Sequence, residues 1–466
     1  MEEKFLSIVS KLNAWLSDYI LIILLVGTGL LFSFKTRFVQ VRCFKEGCGR
    51  VFGNLKLKGG KQQGGLSSFQ ALATAVAAQV GTGNIVGASG AILVGGPGAI
   101  FWMWIIAFLG MATIYAEAVL AQETRVVDQN GEVHGGPVYY IKKAFPKGFG
   151  TFLAVFFAIA SVLALGFMGS MVQSNSIAET CNTAFGIPTW VMGAVVALIA
   201  AIIFIGGAQR LASVTEKIVP FMAILYIVGC LVILVARIKY IPATFGAIFK
   251  FAFSPKALIG GSIGMALKTA ISQGAKRGLF SNEAGMGSTP HAHAMASVEK
   301  PHDQGVVAMI GVFIDTFVVL TMTALVVISC TYVGDGALAG ADGTTYAQLI
   351  ADNGISKTNI MQSAYGSVTG ATFGNMFVAV CLFFFAFSTI ISWNFFGKLN
   401  AQYLTKNSKV GVALYAIISI AFIFTGSLLS NDLVWELTDF FNYLMVLPNV
   451  IALIALGAIV AKSSKK

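Results

Sequence analysis

The chain has 466 residues, 56% of them hydrophobic and 11% charged, with a formal net charge of +11. Apolar stretches of about 20 residues recur along it, which excludes a soluble globular domain and describes an all-α polytopic membrane protein. The positive balance is no nucleic-acid footprint, because the basic residues sit in short loops between apolar stretches rather than on a soluble basic face.

Eleven spans are expected. The start, MEEKFLSIVSKLNAWLSDY, is amphipathic and runs into the first long span, which is not the pattern of a cleaved leader. Helix 1 (about 19–36) precedes a loop, 35–63, that carries Lys35, Arg37, Arg42, Lys45 and Arg50 against the single acid Glu46. The positive-inside rule makes that loop cytoplasmic and places the N-terminus outside. Helix 2 (about 66–92) rises to a tight outer turn at Gly95-Gly96-Pro97-Gly98, and helix 3 (about 99–122) returns. A second inner loop holds Arg125, Lys142, Lys143 and Lys147, with a short interfacial helix that sets Tyr139 and Tyr140 at headgroup depth. Helices 4 (about 150–180), 5 (about 188–206) and 6 (about 213–236) follow. The next outer connection, 237–256, violates the charge rule with Arg237, Lys239, Lys250 and Lys256. Helix 7 starts near 257 and helix 8 covers about 304–331; an outer loop with Asp335, Asp342, Asp352 and one Lys357 comes next. Helices 9 (about 370–396), 10 (about 410–428) and 11 (about 434–460) bring Lys462, Lys465 and Lys466 to the cytoplasm.

Two of these spans are interrupted. Helix 2 contains Gln79-Val80-Gly81-Thr82-Gly83-Asn84 at its middle. A glycine costs a helix interior about 1 kcal/mol relative to alanine, so two of them among polar residues invite unwinding. Backbone groups freed inside a bilayer are tolerated only where protein, water or a ligand satisfies them. A glycine face for close helix packing, through Gly83, Gly87 and Ala91, is the plainer alternative. Helix 7 is interrupted within GGSIGMALKTAISQGAKRGLFSNEAGMGSTP; Gln273-Gly274 is the preferred break, and Gly260-Gly261 with Gly264 offers an earlier one. After helix 1 the spans divide into two sets of five, each opened by a broken helix, and sets of five necessarily have opposite topology. The expected units are therefore 1–63, an extra helix and basic loop; 64–237, a first half; and 238–466, its inverted repeat. Paired broken helices in inverted halves point to a mid-membrane site in a secondary transporter.

The stretch Gly95-Gly96-Pro97-Gly98-Ala99-Ile100-Phe101-Trp102-Met103-Trp104 resembles the signature of the alanine or glycine:cation symporter family, the sodium:alanine symporters. GTGN at 81–84 and GLFSNEAGMGS at 278–288 are similar to that family's other characteristic segments, and the resemblance spans about 20 to 460. It implies a leucine-transporter-like inverted repeat that couples Na⁺ entry to uptake of a small neutral amino acid, with no covalent cofactor. Alternatives within the fold are a proton-coupled carrier, for which Lys217 near the inner end of helix 6 is the candidate, and uptake of a larger neutral amino acid such as glutamine. A channel would more plainly show pore-lining rings. No nucleophile–base pair or phosphate loop supports an enzyme.

A zwitterionic substrate needs both anion-friendly and cation-friendly ends. The amides opening the second half of helix 2, near Gly83 and Asn84, suit a carboxylate, and carbonyls ending its first half, near Ala78, suit an ammonium or Na⁺. Gln79, Gly81, Thr82, Gly83 and Asn84 are the expected lining, although Gln79 and Asn84 also suit the role of bonding loose backbone. Ser388 and Thr389 match by resemblance a hydroxyl pair that holds Na⁺ with helix 2 carbonyls; back-bonding to their own helix is the alternative. Phe167 and Met171 share a face at i, i+4, with Gln173 and Asn175 further along, either as a pocket wall or as core. Gln273 and Trp393 complete the substrate-site candidates. Of the charges at membrane depth, among them Glu117, Lys268, Asp315, Glu436 and Asp439, Lys276, Arg277 and Glu283 read as lining an inner vestibule. His291, His293 and His302 read as solvated in an inner loop, and Cys43 and Cys48 lack the spacing and histidine partners of a zinc site.

Overall fold

Helices dominate because only internal bonding satisfies the backbone in lipid; a computed structural model describes residues 2–53, 66–129, 132–204, 207–254 and 263–465. In chain order, α1 (Glu3–Lys35) is followed by the short amphipathic α2 (Phe44–Phe52). α3 (Ser68–Gln79) and α4 (Gly83–Gly95) are two halves of one span, bent by 45°. α5 (Ala99–Thr124) leads to a small hairpin, β1 (Val126–Val127) against β2 (Val133–His134), and to α6 (Pro137–Ala144). Then come α7 (Gly148–Phe185), α8 (Thr189–Phe204), α9 (Arg210–Ala236) and α10 (Ile241–Phe253). α11 (Ile263–Asn282), α12 (Pro290–Ala294) and α13 (Pro301–Thr331) precede two loop helices, α14 (Tyr346–Asp352) and α15 (Ile360–Thr369). α16 (Ala371–Leu404), α17 (Lys409–Gly426), α18 (Asn431–Ala455) and α19 (Gly457–Ser463) complete the order.

Among the described residues, eight helices are long and apolar enough to cross a membrane, or nine with the bent pair. Two expected spans fall short of that measure. α8 has only 16 residues, and α11 carries Lys268, Lys276 and Arg277. Burial sorts the bundle into layers: 72% of the apolar window is buried in α5 and in α16, but only 33% in α9 and 22% in α17. The middle is thus α3–α4, α5 and α16, with α9 and α17 on the rim. Alanines at 71, 73, 75, 77 and 78 of α3 let neighbouring backbones approach closely. The start of α3 is locally coded, because Ser67 Oγ accepts the Gln70 N–H and Gln70 Oε1 accepts the Ser67 N–H, each at 3.1 Å.

The expected break of helix 7 at Gln273-Gly274 is not where the chain unwinds. Gly264, Gln273 and Gly274 all lie inside continuous α11, whereas Gly260 and Gly261 lie outside the described residues. A Cβ on Gly274 would meet Trp102 and the backbone of α5, so that glycine serves close packing. The helix ends instead at Glu283, Gly285 and Gly287, whose φ values of 59°, 93° and 82° are left-handed.

The basic connection that broke the charge rule is answered by the acidic loop after α13: Arg237 pairs with Asp335 at 2.6 Å and holds that carboxyl below its ordinary value. The same loop lies on the end of α4. The Tyr346 hydroxyl donates to the Leu93 carbonyl at 2.8 Å and the Tyr332 hydroxyl to the Ile92 carbonyl at 3.4 Å. Lys357 of that loop pairs with Asp432 at 2.7 Å.

Candidate functional site

At Val80 (φ −79°, ψ 85°) the backbone leaves the helix, and two freed amides turn to side chains, one of α4 and one of α7. The Gly81 N–H donates to Asn84 Oδ1 at 2.9 Å, and the Thr82 N–H donates to Gln173 Oε1 of α7 at 3.0 Å. Gln79 Nε2 donates to the carbonyl of Asn282, the last residue of α11, at 2.8 Å. Asn84 Nδ2 donates to Asp315 Oδ1 of α13 at 2.6 Å. Both readings of Gln79 and Asn84 start from here, since they brace loose backbone at the break itself. Three polar atoms of this cluster are buried without a partner: Gln79 Oε1, Thr82 Oγ1 and Gln173 Nε2. Their residues are no more than 2% exposed. Each such atom costs about 1–3 kcal/mol when left unsatisfied, so three together mark a place built to receive something polar.

α16 supplies hydroxyls to the α3 side of the break. Thr389 Oγ1 lies 2.9 Å from the Ala77 carbonyl, 3.2 Å from that of Ala78 and 3.1 Å from that of Phe385. Ser388 Oγ lies 2.9 Å from the Phe385 carbonyl and 3.4 Å from that of Ala77. Back-bonding and the approach to helix 2 therefore coexist. The donor set is oxygen throughout, which suits a hard cation. A Cβ on Gly81 would run into Thr389 Oγ1 and approach Gln173 Oε1, and one on Gly83 would press on Phe280 and Ser281.

The other side of the cluster is acidic. Asp315 is fully buried and takes hydrogen bonds from Asn84, from Ser281 Oγ at 2.9 Å and from Thr316 Oγ1 at 2.7 Å, all neutral donors. Glu283 accepts from Trp393 Nε1 at 2.6 Å and from the Ser288 hydroxyl. Glu117 of α5 accepts the Gly285 N–H at 3.1 Å and Asn449 Nδ2 at 2.6 Å, while Asn449 also donates to the Gly285 carbonyl at 2.9 Å. The Tyr140 hydroxyl donates to Asn449 Oδ1, so Tyr140, expected at headgroup depth, is fully buried.

Trp393 closes the cluster with an aromatic layer. Its ring lies 5.5 Å from that of Phe280, which lies 4.6 Å from that of Trp435. Phe167 and Met171 are not brought to the break. Phe167 stacks on Phe422 and Tyr415 of α17 at 5.0 and 5.6 Å, and Met171 packs on Gly426. The face of α7 that looks inward is the one with Gly169, against Trp393, and Gln173. Gln273 stands apart in a cavity of about 260 Å³ with Gly87, Arg277, Lys357, Asp432 and Trp435. Arg277, which pairs with Asp439 at 2.9 Å, is therefore on the side of the loop that follows α13. The reason is the later break, which leaves residues 276 and 277 within continuous α11, ahead of the unwound stretch. A second cavity, of about 380 Å³, is lined by His134, Tyr139, His291, Asn400 and Tyr403, and the two share no lining residue.

Sequence reasoning passed over Ser281, Asn282 and Phe280, used Gln173 only as a neighbour of other candidates, and named Asp315 only as one of several charges at membrane depth. The available signals were a polar pair inside FSNEAG and a lone acid in an apolar span. The histidines reverse their expectation: His291, His293 and His302 are 1%, 1% and 3% exposed. They bond to the Ser288 carbonyl, Gln304 and Tyr115, because α12 folds back into the bundle and His302 opens the buried start of α13, instead of standing in solvent. Lys217 is exposed on α9, and Met222 rather than Lys217 lies beside Ser388, at 3.5 Å.

A bundle of membrane-length helices with one span unwound at mid-length around buried, unpartnered polar atoms is the architecture of a membrane transport protein. The chain belongs to the sodium:alanine symporter family, whose model matches residues 2–466. It is 40% identical over 462 residues to the sodium/alanine symporter AgcS of Methanococcus maripaludis, covering 99% of this chain and 97% of the relative. It is 42% identical over 453 residues to the putative sodium/proton-dependent alanine carrier protein YrbD of Bacillus subtilis, covering 96% and 90%. The crystal structure of MhsT in complex with L-phenylalanine shares the fold, with a TM-score of 0.57 at 15% identity, over 87% of this chain and all of that one.

Proposed function

We propose that this symporter couples entry of Na⁺ to uptake of a small neutral amino acid of the alanine or glycine type, by alternating access across the break between α3 and α4. The observation that carries the reading is the oxygen cluster of Thr389 Oγ1 with the Ala77 and Ala78 carbonyls, set directly beside the unpartnered Gln79, Thr82 and Gln173 atoms. Na⁺ sits between α16 and the end of α3, tying the mobile half-helix to the scaffold. The substrate carboxylate faces the amides that open α4 at Gly83 and Asn84, the positive end of a helix dipole. Asp315, with only neutral donors around it, favours positive charge entering the break. Gly81 and Gly83, hemmed in by Thr389, Gln173 and Phe280, leave room for a short side chain and little else. The two cavities, which share no lining residue, support access from each side in turn.

On this reading the chain crosses the cytoplasmic membrane eleven times, N-terminus outside and C-terminus inside, with 64–237 and 238–466 as inverted halves behind an extra first helix. Sodium coupling is preferred to proton coupling because Lys217 faces away from Ser388 and Thr389. One charge moved inward through 100 mV releases about 2.3 kcal/mol and a tenfold Na⁺ gradient about 1.4 kcal/mol, enough for roughly 500-fold accumulation of a neutral substrate.

Purified protein in sealed vesicles tests the coupling. Thr389→Val removes the hydroxyl with little change of shape and is expected to raise the Na⁺ needed for half-maximal alanine uptake by about tenfold, the equivalent of one hydrogen-bonded ligand. Unchanged sodium dependence in that variant, or wild-type uptake driven by a proton gradient alone, overturns the reading.

A further inference from the structure

We propose that Cys43, Glu46 and His302, far from the transport site, form a binding site for a thiophilic divalent cation, with Zn²⁺ the ion that fits. Spacing along the chain offered Cys43 no histidine, but the fold brings His302 to it from the start of α13. One ligand atom from each of the three residues lies within 4.8 Å of the other two. The imidazole is already oriented: its Nδ1 is hydrogen-bonded to the Tyr115 hydroxyl at 2.7 Å, and its Nε2 faces Glu46 Oε2 at 3.4 Å. A partner on the second ring nitrogen is what metal-bound imidazoles use to hold their tautomer and direction.

Glu46 divides its oxygens. Oε1 is held by Arg50 at 3.0 Å, and Arg50 also reaches Asp303 at 2.9 Å, so Oε2 stays turned toward His302 and the free thiol of Cys43. Cys43 and His302 are buried while the Glu46 side chain is 40% exposed, which gives an ion both a dry seat and a path of entry. The two elements that carry the donors are locked together. A Cβ on Gly47 would meet Ile310 and the Val306 carbonyl, so α2 sits directly on α13 and the donors are preorganised. Thiolate, imidazole and carboxylate with one open position match four-coordinate Zn²⁺ with a water. The sulfur and nitrogen donors disfavour Mg²⁺, Ca²⁺ and Na⁺. An ordinary His302–Glu46 hydrogen bond accounts for the 3.4 Å contact, but not for the thiol converging on the same point.

Titration of the purified full-length protein in detergent with Co²⁺, followed by Zn²⁺, tests the site. The expected result is a thiolate-to-cobalt charge-transfer band with four-coordinate d–d bands, displaced by one equivalent of Zn²⁺. Cys43→Ser abolishes the charge-transfer band, Cys181→Ser leaves it intact, and Glu46→Gln weakens Zn²⁺ binding by about tenfold or more. Arg50→Gln, which frees Glu46 Oε1, leaves binding equal or tighter. A missing band, a band that survives Cys43→Ser, or saturation only at millimolar ion overturns the proposal. If Cys43→Ser cannot be purified folded, unchanged Zn²⁺ affinity in Glu46→Gln overturns it alone.

Discussion

Two spans lose their helix inside the bundle, and they do so with different completeness. At residues 80–82 the freed amides are held by Asn84 and Gln173, yet Gln79 Oε1, Thr82 Oγ1 and Gln173 Nε2 stay buried without partners. At residues 283–288 local side chains and side chains from other helices fill the break, and only the adjacent Thr289 Oγ1 is buried there without a partner. The Gly285 N–H is taken by Glu117, its carbonyl by Asn449, the Ala284 N–H by Asn282 Oδ1 at 3.1 Å, and the Glu283 carboxylate by Trp393 and Ser288. Glycine-rich interruptions thus serve two ends. One has three buried atoms left unpartnered, which on the proposed reading reserves it for substrate and ion; the other is a more nearly complete joint, in which the left-handed Glu283 is held by buried hydrogen bonds.

Substitutions that exchange the properties of the two breaks test this contrast. The largest effect on uptake is expected for Gly81→Ala, whose methyl group overlaps Thr389 Oγ1 and crowds Gln173. Overpacking of about 1–3 kcal/mol placed directly on the site lowers uptake by up to about a hundredfold. Vesicle uptake alongside a thermal melt reads it, and wild-type uptake removes residue 81 from the site. Next, Glu117→Ala strips the Gly285 N–H and Asn449 of their acceptor and is expected to cost about 2–4 kcal/mol of stability. The surviving folded protein should bind alanine with nearly native affinity, as scintillation proximity measures. A native melting temperature would show that the second break is not held by Glu117. The smallest effect belongs to Phe167→Leu, which loses ring contacts to Phe422 and Tyr415 worth about 1 kcal/mol. Its substrate affinity should stay within about twofold of native; a larger change would return Phe167 to the pocket.

The first break was legible because its cause is local: two glycines and three polar residues interrupt an otherwise apolar span. The second was misplaced by residue type alone, since a glycine inside a helical pattern has two physical uses. Gly274 lets α11 lie against Trp102, whereas Gly285 and Gly287 take up positive φ, and only tertiary contacts distinguish them. Spacing showed that Phe167 and Met171 share a face but not which neighbour that face meets. Gly169 and Gln173 have the same spacing and point inward. The histidines were misjudged because a polar segment reads as loop, and nothing local reveals that α12 returns to the interior. Ser388 and Thr389 were found through resemblance, and their approach to Ala77 and Ala78 joins residues more than 300 positions apart.

The end of α4 has one more consequence. Carbonyls in a helix's last turn lack partners within the helix, and here those of Ile92 and Leu93 are taken by Tyr332 and Tyr346 of the loop that follows α13. That loop also lays Lys357 alongside Gly90. Half-helix and loop are therefore a single mechanical part, with a lever outside the bilayer. An antibody fragment gripping residues 342–357 would hold α4 still without touching substrate or ion, and a spin label on that loop would report the tilt of α4.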